Sequence, residues 1–281
     1  MTKEKVENAI AELESINPND EYAYEKAILA YWEIGGLPIL FDDIPVGNEF
    51  FRARTHKTND FFTTIDKISI APNQYVDSFA RCNRPFQSKF YCSENRPTSY
   101  AELVEYWTDT KEIGEKVYVT IGRWKLKKTL TIIVVTTPDP ENRISEFDKR
   151  YASIMDNLLA NCDVETREAT IIFYRYLFEK FRKPAKNDTK TYIITSAFCN
   201  LALLYLKGQA NAICYPSVPL GEQGINIAIN SDFVTSDNME LIDVIRNEMS
   251  IYENKNKKSS FKETAILQST IDIINNLIKW K

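Results

Sequence analysis

The stretch Phe50-Phe51-Arg52-Ala53-Arg54 marks the point where the chain changes from helical to strand texture. Its period-two alternation predicts a strand with Arg52 and Arg54 on one face. Upstream, Val6, Ala9, Ile10, Leu13 and Ile16 recur at helical spacing until Asn17-Pro18-Asn19-Asp20 breaks the pattern, and a second helical stretch ends at Gly35-Gly36. Residues 1–45 therefore read as a helical hairpin. Downstream, Lys89 to Cys92, Val117 to Ile121 and Leu130 to Val135 are short apolar runs bounded by turn residues, the pattern of a sheet. After the Thr137-Pro138-Asp139-Pro140-Glu141-Asn142 loop, a helical insert is predicted near 145–181, followed by a loop over Lys183 to Lys190. Residues 191–207 carry a helical stripe of Ile194, Phe198, Leu201 and Tyr205, and Ala212 to Tyr215 and Ile225 to Ile229 return to strand texture. Asp237-x-x-Glu240 and Ser260-x-x-Glu263 have the form of capping boxes, so 236–281 reads as terminal helices on either side of an Asn254 to Lys258 turn, packed on the core. The expected class is α/β (α+β): a mixed-sheet core over 46–235 with added helices at both ends.

Composition narrows the chemistry. The 281 residues are 44% hydrophobic and 12% aromatic, which excludes a disordered chain. A net charge of −4 argues against a nucleic-acid partner, whose footprint is usually basic. Eight glycines and a single histidine, His56, leave little room for phosphate-cradling loops or multi-histidine metal sites, and no metal is expected. Cys82, Cys92, Cys162, Cys199 and Cys214 have no C-x-x-C spacing and read as reduced thiols in or near the core. No apolar run approaches the ~18 residues of a membrane span. The charged start Met1-Thr2-Lys3-Glu4-Lys5 lacks the apolar core of a secretion signal, so a cytoplasmic location without membrane partners is expected.

Standard catalytic motifs are missing: there is no G-x-x-x-x-G-K, G-x-G-x-x-G or H-E-x-x-H, and no G-x-S-x-G accompanies His56. Gly221-Glu222-Gln223-Gly224 carries an acid where a phosphate clamp needs basic residues, and reads as a turn. What stands out is a set of polar residues within aromatic strands. Arg52 and Arg54, with Arg81-Cys82-Asn83-Arg84 about thirty residues on, offer guanidinium groups suited to a diphosphate. Tyr91 lies in a strand and Glu102 in the helix that begins after Arg96-Pro97, so carboxylate and phenol can meet at a strand-to-helix junction. Each residue also has a plain structural role open to it. Ser99-x-x-Glu102 is itself a capping box, Tyr91 suits a core, the arginines suit ion pairs, and Ser217 suits a turn.

Taken in order, these motifs resemble the RES domain family, relatives of ADP-ribosyltransferases named for Arg, Glu and Ser. The aromatic-Arg motif matches Phe51-Arg52, Gly-Arg-x-Asn matches Ala80-Arg81-Cys82-Asn83, the strand Tyr matches Tyr91, and the helix Glu matches Ser99-Tyr100-Ala101-Glu102. The C-terminal motifs match Ala212-Ile213-Cys214-Tyr215-Pro216-Ser217 and Gly224-Ile225-Asn226-Ile227-Ala228-Ile229. The resemblance covers about residues 50–135 and 191–230; Ala80, Cys82 and Ala212 depart from it. It implies an ADP-ribosyltransferase-like core and a metal-free enzyme whose substrate is NAD. Arg52, Glu102 and Tyr91 would be its catalytic residues, and Arg81, Asn83, Arg54 and Ser217 would bind the substrate. It further implies a toxin-like role restrained by an antitoxin protein. The acceptor is left open between water, phosphate and a macromolecule, and a non-catalytic interaction scaffold is the rival from another class.

Overall fold

The structure is a computed structural model, and it describes residues 1–56, 59–107, 112–184, 188–219, 223–255 and 258–281. Among these residues six α-helices and ten strands form one mixed sheet with helical cover, an α/β fold. The helices are α1 (Lys3–Ser15), α2 (Ala23–Glu33), α3 (Arg96–Trp107), α4 (Glu146–Ala160), α5 (Val164–Arg182) and α6 (Thr189–Tyr205). The strands are β1 (Phe41–Ile44), β2 (Glu49–His56), β3 (Lys89–Ser93), β4 (Lys116–Leu126), β5 (Leu130–Val134), β6 (Ala212–Pro216), β7 (Ile225–Asn230), β8 (Met239–Lys255), β9 (Lys258–Asp272) and β10 (Leu277–Trp280). Their order across the sheet is β1-β5-β6-β7-β3-β2-β4-β8-β9-β10, antiparallel throughout except for β5 beside β6.

Side-chain caps set several helix starts. The Thr2, Ser145, Asp163 and Asp188 side chains accept backbone N–H bonds at the openings of α1, α4, α5 and α6, satisfying donors that have no partner within the helix. Helix α6 is buried along most of its length, from Ile193 to Leu203, which explains why its sequence is apolar on nearly every side. The α1–α2 hairpin buries Val6, Ala9, Leu13, Ala27, Ala30 and Tyr31 in the same large core as α5, α6 and the β5-β6-β7 part of the sheet. A second, smaller core of Val117, Val119, Ile121, Met249 and Ile251 takes in Tyr100 and Leu103 of α3.

The terminal helices expected over 236–281 are not helices. The segment forms β8, β9 and β10, with β8 paired to β4 from Met239↔Leu126 to Ser250↔Lys116. Long-range pairing overrides a four-residue capping pattern here. Register shifts beside Arg123/Trp124 and again at Glu248/Met249 break the period-two alternation that would have marked a strand. Of the expected Asn254 to Lys258 turn, Asn256 and Lys257 lie outside the described residues, as do Gly221 and Glu222 of the expected Gly221 to Gly224 turn. Among the described residues no helix is long and apolar enough to cross a membrane.

Candidate functional site

The sheet is held together weakly at one place. Strands β2 and β3 share a single register pair, Phe51↔Ser93, beyond which the ladder is not continued. Arg52 spans this gap: its Nη1 donates to the Tyr91 carbonyl across it at 2.8 Å and its Nε to the Ser69 carbonyl at 3.0 Å. Its guanidinium carbon also lies 4.9 Å from the centre of the Phe90 ring. Burial, and next the Arg54 charge, push the Arg52 guanidinium down to about 10, still cationic at neutral pH. A cleft of about 430 Å³ opens at this gap, and Arg52, Arg81, Tyr91 and Glu102 all line it.

Glu102 is the seventh residue of α3 and does not close its N-terminus. That cap is Asn95, whose Oδ1 accepts from the Thr98 backbone N–H at 2.9 Å and from the Thr98 hydroxyl at 2.8 Å. The Ser99 hydroxyl, the other half of the supposed capping box, instead donates to the Phe51 carbonyl at 2.7 Å and ties α3 to β2. Glu102 Oε1 accepts from Ser217 Oγ at 2.7 Å and from Asn226 Nδ2 at 2.6 Å. Ser93 Oγ in turn donates to Asn226 Oδ1 at 2.9 Å, so the amide is held from both ends. One carboxylate oxygen is thereby fixed by two donors from the β6–β7 end of the sheet.

The remaining expected residues divide into two groups. Arg81 lines the cleft, yet its Nη1 and Nη2 donate to the Lys180 and Lys183 carbonyls at the end of α5, at 3.0 and 3.1 Å, among the rings of Phe181, Tyr192 and Tyr215. Tyr91 lines the cleft while its hydroxyl donates to Asn83 Oδ1 at 2.7 Å and accepts from the Cys82 N–H at 3.0 Å. Burial holds that phenol well above its ordinary range, so it stays protonated. Asn83 and Ser217 are buried behind the lining, as supports of Tyr91 and Glu102. Arg54 is not in the cleft. It shares the Arg52 face of β2, but its guanidinium reaches the Lys67 carbonyl and lies over Phe62. A shared strand face does not fix where a long side chain ends. His56 is likewise elsewhere, pairing with Thr120 Oγ1 at 2.6 Å against Phe62 and pushed down to about 4 by burial and the nearby Arg246 charge.

Asn226 was not among the expected site residues. The stretch Gly224-Ile225-Asn226 stood out in the sequence, but the hold of Asn226 on Glu102 depends on the register of β6 and β7, which pairs Tyr215 with Asn226. Gly224 contributes by what it lacks: a Cβ there would meet the Thr98 hydroxyl and lie 2.7 Å from Thr98 Cγ2, and Thr98 is fully buried. Gly224→Ala is therefore expected to destabilise the fold by about 1–3 kcal/mol through overpacking of α3 against the β6–β7 connection. Urea denaturation measures this, and an unchanged midpoint would show that α3 yields freely at this contact. Among the described residues no group of three or more His, Cys, Asp or Glu is placed to hold a metal ion. No protein-family model matches the chain, and no curated protein matches it in sequence.

Proposed function

We propose that the cleft binds NAD and breaks its nicotinamide–ribose bond, as in a glycohydrolase or a phosphorolytic NAD degrader. The observation that carries this reading is the convergence of Arg52, Arg81, Tyr91 and Glu102 on one cleft, with the Glu102 carboxylate held by Ser217 and Asn226 rather than spent on a helix cap. Departure of neutral nicotinamide leaves positive charge on the ribose carbon, and the transition state is stabilised by a fixed anion facing that carbon. Glu102 supplies the anion, and Ser217 and Asn226 hold it in place so that little reorganisation is needed as charge develops. The Arg52 and Arg81 cations favour the diphosphate, and the Tyr91 ring packs against the nicotinamide or its ribose. Water or phosphate completes the reaction at the ribose carbon. Consumption of NAD inside a cell would make the protein toxin-like and in need of an antitoxin partner.

A second reading, a non-catalytic interaction scaffold, has one observation in its favour: the arginines already donate to backbone carbonyls, Arg52 to those of Ser69 and Tyr91 and Arg81 to those of Lys180 and Lys183. Titration calorimetry with NAD on the Glu102→Gln protein separates the two, because only the enzyme reading predicts binding. Arg52→Lys on that background is expected to weaken NAD binding by about 10-fold or more, since an ammonium keeps the charge but not the planar fork that bridges β2, β3 and ligand. Equal affinity with and without the Arg52→Lys change would remove the bidentate role, and no binding to either protein would favour the scaffold.

A further inference from the structure

Helix α3 is held on two sides, and only one of them carries Glu102. Arg96, Tyr100 and Leu103 follow the i, i+4, i+7 spacing of another helix face, of which Leu103 also borders the cleft. Tyr100 and Leu103 pack on the small core that β4 and β8 build from Val117, Val119, Ile121, Met249 and Ile251. Arg96 Nη2 donates to Glu263 Oε2 of β9 at 2.7 Å, and its guanidinium carbon lies 5.4 Å from the centre of the Tyr100 ring. Asn247 of β8, fully buried, donates its amide to the same Glu263 oxygen, while its own Oδ1 has no hydrogen-bond partner. Glu263 thus gathers the first turn of α3 and the β8–β9 ladder onto one carboxylate oxygen. Glu263 and Asn247 lie in the C-terminal strands, outside the stretches that carry the RES resemblance.

We propose that Glu263 is a positioning residue for Glu102: it fixes the rotation of α3 about its own axis, and so the direction from which the Glu102 carboxylate meets the ribose carbon. This assignment rests on the NAD-cleaving reading of the cleft. The Ser99 bond to the Phe51 carbonyl and the Thr98 contact at Gly224 anchor the first turn near one line, about which the helix can still roll on the Tyr100 and Leu103 contact, and a small roll displaces a side chain on the other flank. The Ser217 and Asn226 bonds hold the carboxylate once it is in place, whereas the Arg96–Glu263 pair holds the helix that delivers it. The pair is about one-third exposed on each side, with side-chain exposures of 32% and 38%, so its share of global stability is small. Its effect belongs to geometry, to which catalysis is steeply sensitive.

The test is steady-state nicotinamide release from NAD by the full chain carrying Glu263→Ala, Glu263→Gln, Arg96→Ala, or Glu263→Ala with Arg96→Ala. Glu263→Ala is expected to lower kcat by roughly 10- to 100-fold with KM changed less than about twofold, the mark of a misaligned group rather than lost binding. The melting temperature of Arg96→Ala, which removes the part-exposed pair and leaves the buried Asn247 amide its acceptor, should move by no more than about 4 °C, the scale of a surface pair. Glu263→Gln, which keeps an oxygen for Arg96 and Asn247, should recover most of the rate. The double variant should be no slower than the slower single one, because both changes release the same contact. Wild-type kcat in the alanine variants, a change confined to KM, or a rate loss that follows a large loss of melting temperature would each overturn the assignment while leaving the NAD reading standing. Absence of nicotinamide release from the unaltered chain would overturn that reading, and this assignment with it.

Discussion

Replacing Glu102 with glutamine is expected to slow nicotinamide release from NAD by about 100-fold or more, the size of a lost transition-state electrostatic contact, while the protein folds as before. The two halves of this prediction have separate causes. Glutamine is nearly isosteric, and its amide oxygen can still accept from Ser217 Oγ and Asn226 Nδ2, so the local network survives. Helix α3 loses no cap, because Asn95 performs that task. What disappears is the negative charge that the proposed function sets opposite the ribose carbon. A folded Glu102→Gln protein with unchanged turnover would show that the carboxylate is a structural acceptor and not part of the chemistry.

Deleting residues 236–281 is expected to abolish folding altogether. Helices laid over a finished core could be removed to uncover the cleft, but as β8, β9 and β10 these residues are part of the sheet itself. Among the described residues β8 is the neighbour of β4 on the side away from β2, and without it an eleven-residue strand becomes a bare edge. The deletion also removes the buried side chains of Met239, Leu241, Val244, Met249, Ile251 and Ile278. At about 1.5–3 kcal/mol each, six such side chains are worth roughly as much as the ~5–15 kcal/mol that stabilises a whole domain. Circular dichroism and size-exclusion chromatography of residues 1–235 should find no cooperatively folded monomer. A sharp unfolding transition would mean that the first seven strands form an independent unit.

The legible and illegible parts of the molecule differ in the range of the interactions that specify them. Strands β2 to β7 could be read because Phe50 to Ala53, Lys89 to Cys92 and their counterparts carry strand-length aromatic or β-branched runs between turn residues. Helices α1 and α6 could be read from apolar spacing, and α4 and α5 as a helical stretch between two loops. The four-residue β1 could not, since Asp42-Asp43 interrupts it and its place is set by pairing with β5. The C-terminal strands were hidden by bulges that disturb their alternation and by acidic residues spaced as caps. At the candidate site, Arg52, Arg81, Tyr91 and Glu102 were singled out through the order of their motifs, and all four line the cleft. The partners that decide what they do were not: Arg54 turns away to Lys67, Arg81 is tied to the end of α5, and Asn226 reaches Glu102 only through sheet register. Local sequence carries residue type and strand face, whereas the end point of a long polar side chain is set by segments far along the chain.

The most direct measurement is incubation of the purified chain with NAD, followed by chromatographic separation of nicotinamide, ADP-ribose and phosphorylated ADP-ribose, with and without phosphate in the buffer. Stoichiometric release of nicotinamide is expected from the unaltered protein and its near absence with Glu102→Gln, the second product identifying water or phosphate as acceptor. NAD recovered intact from the unaltered protein, or equal nicotinamide release by both proteins, would contradict the assignment of the cleft as an NAD-cleaving site.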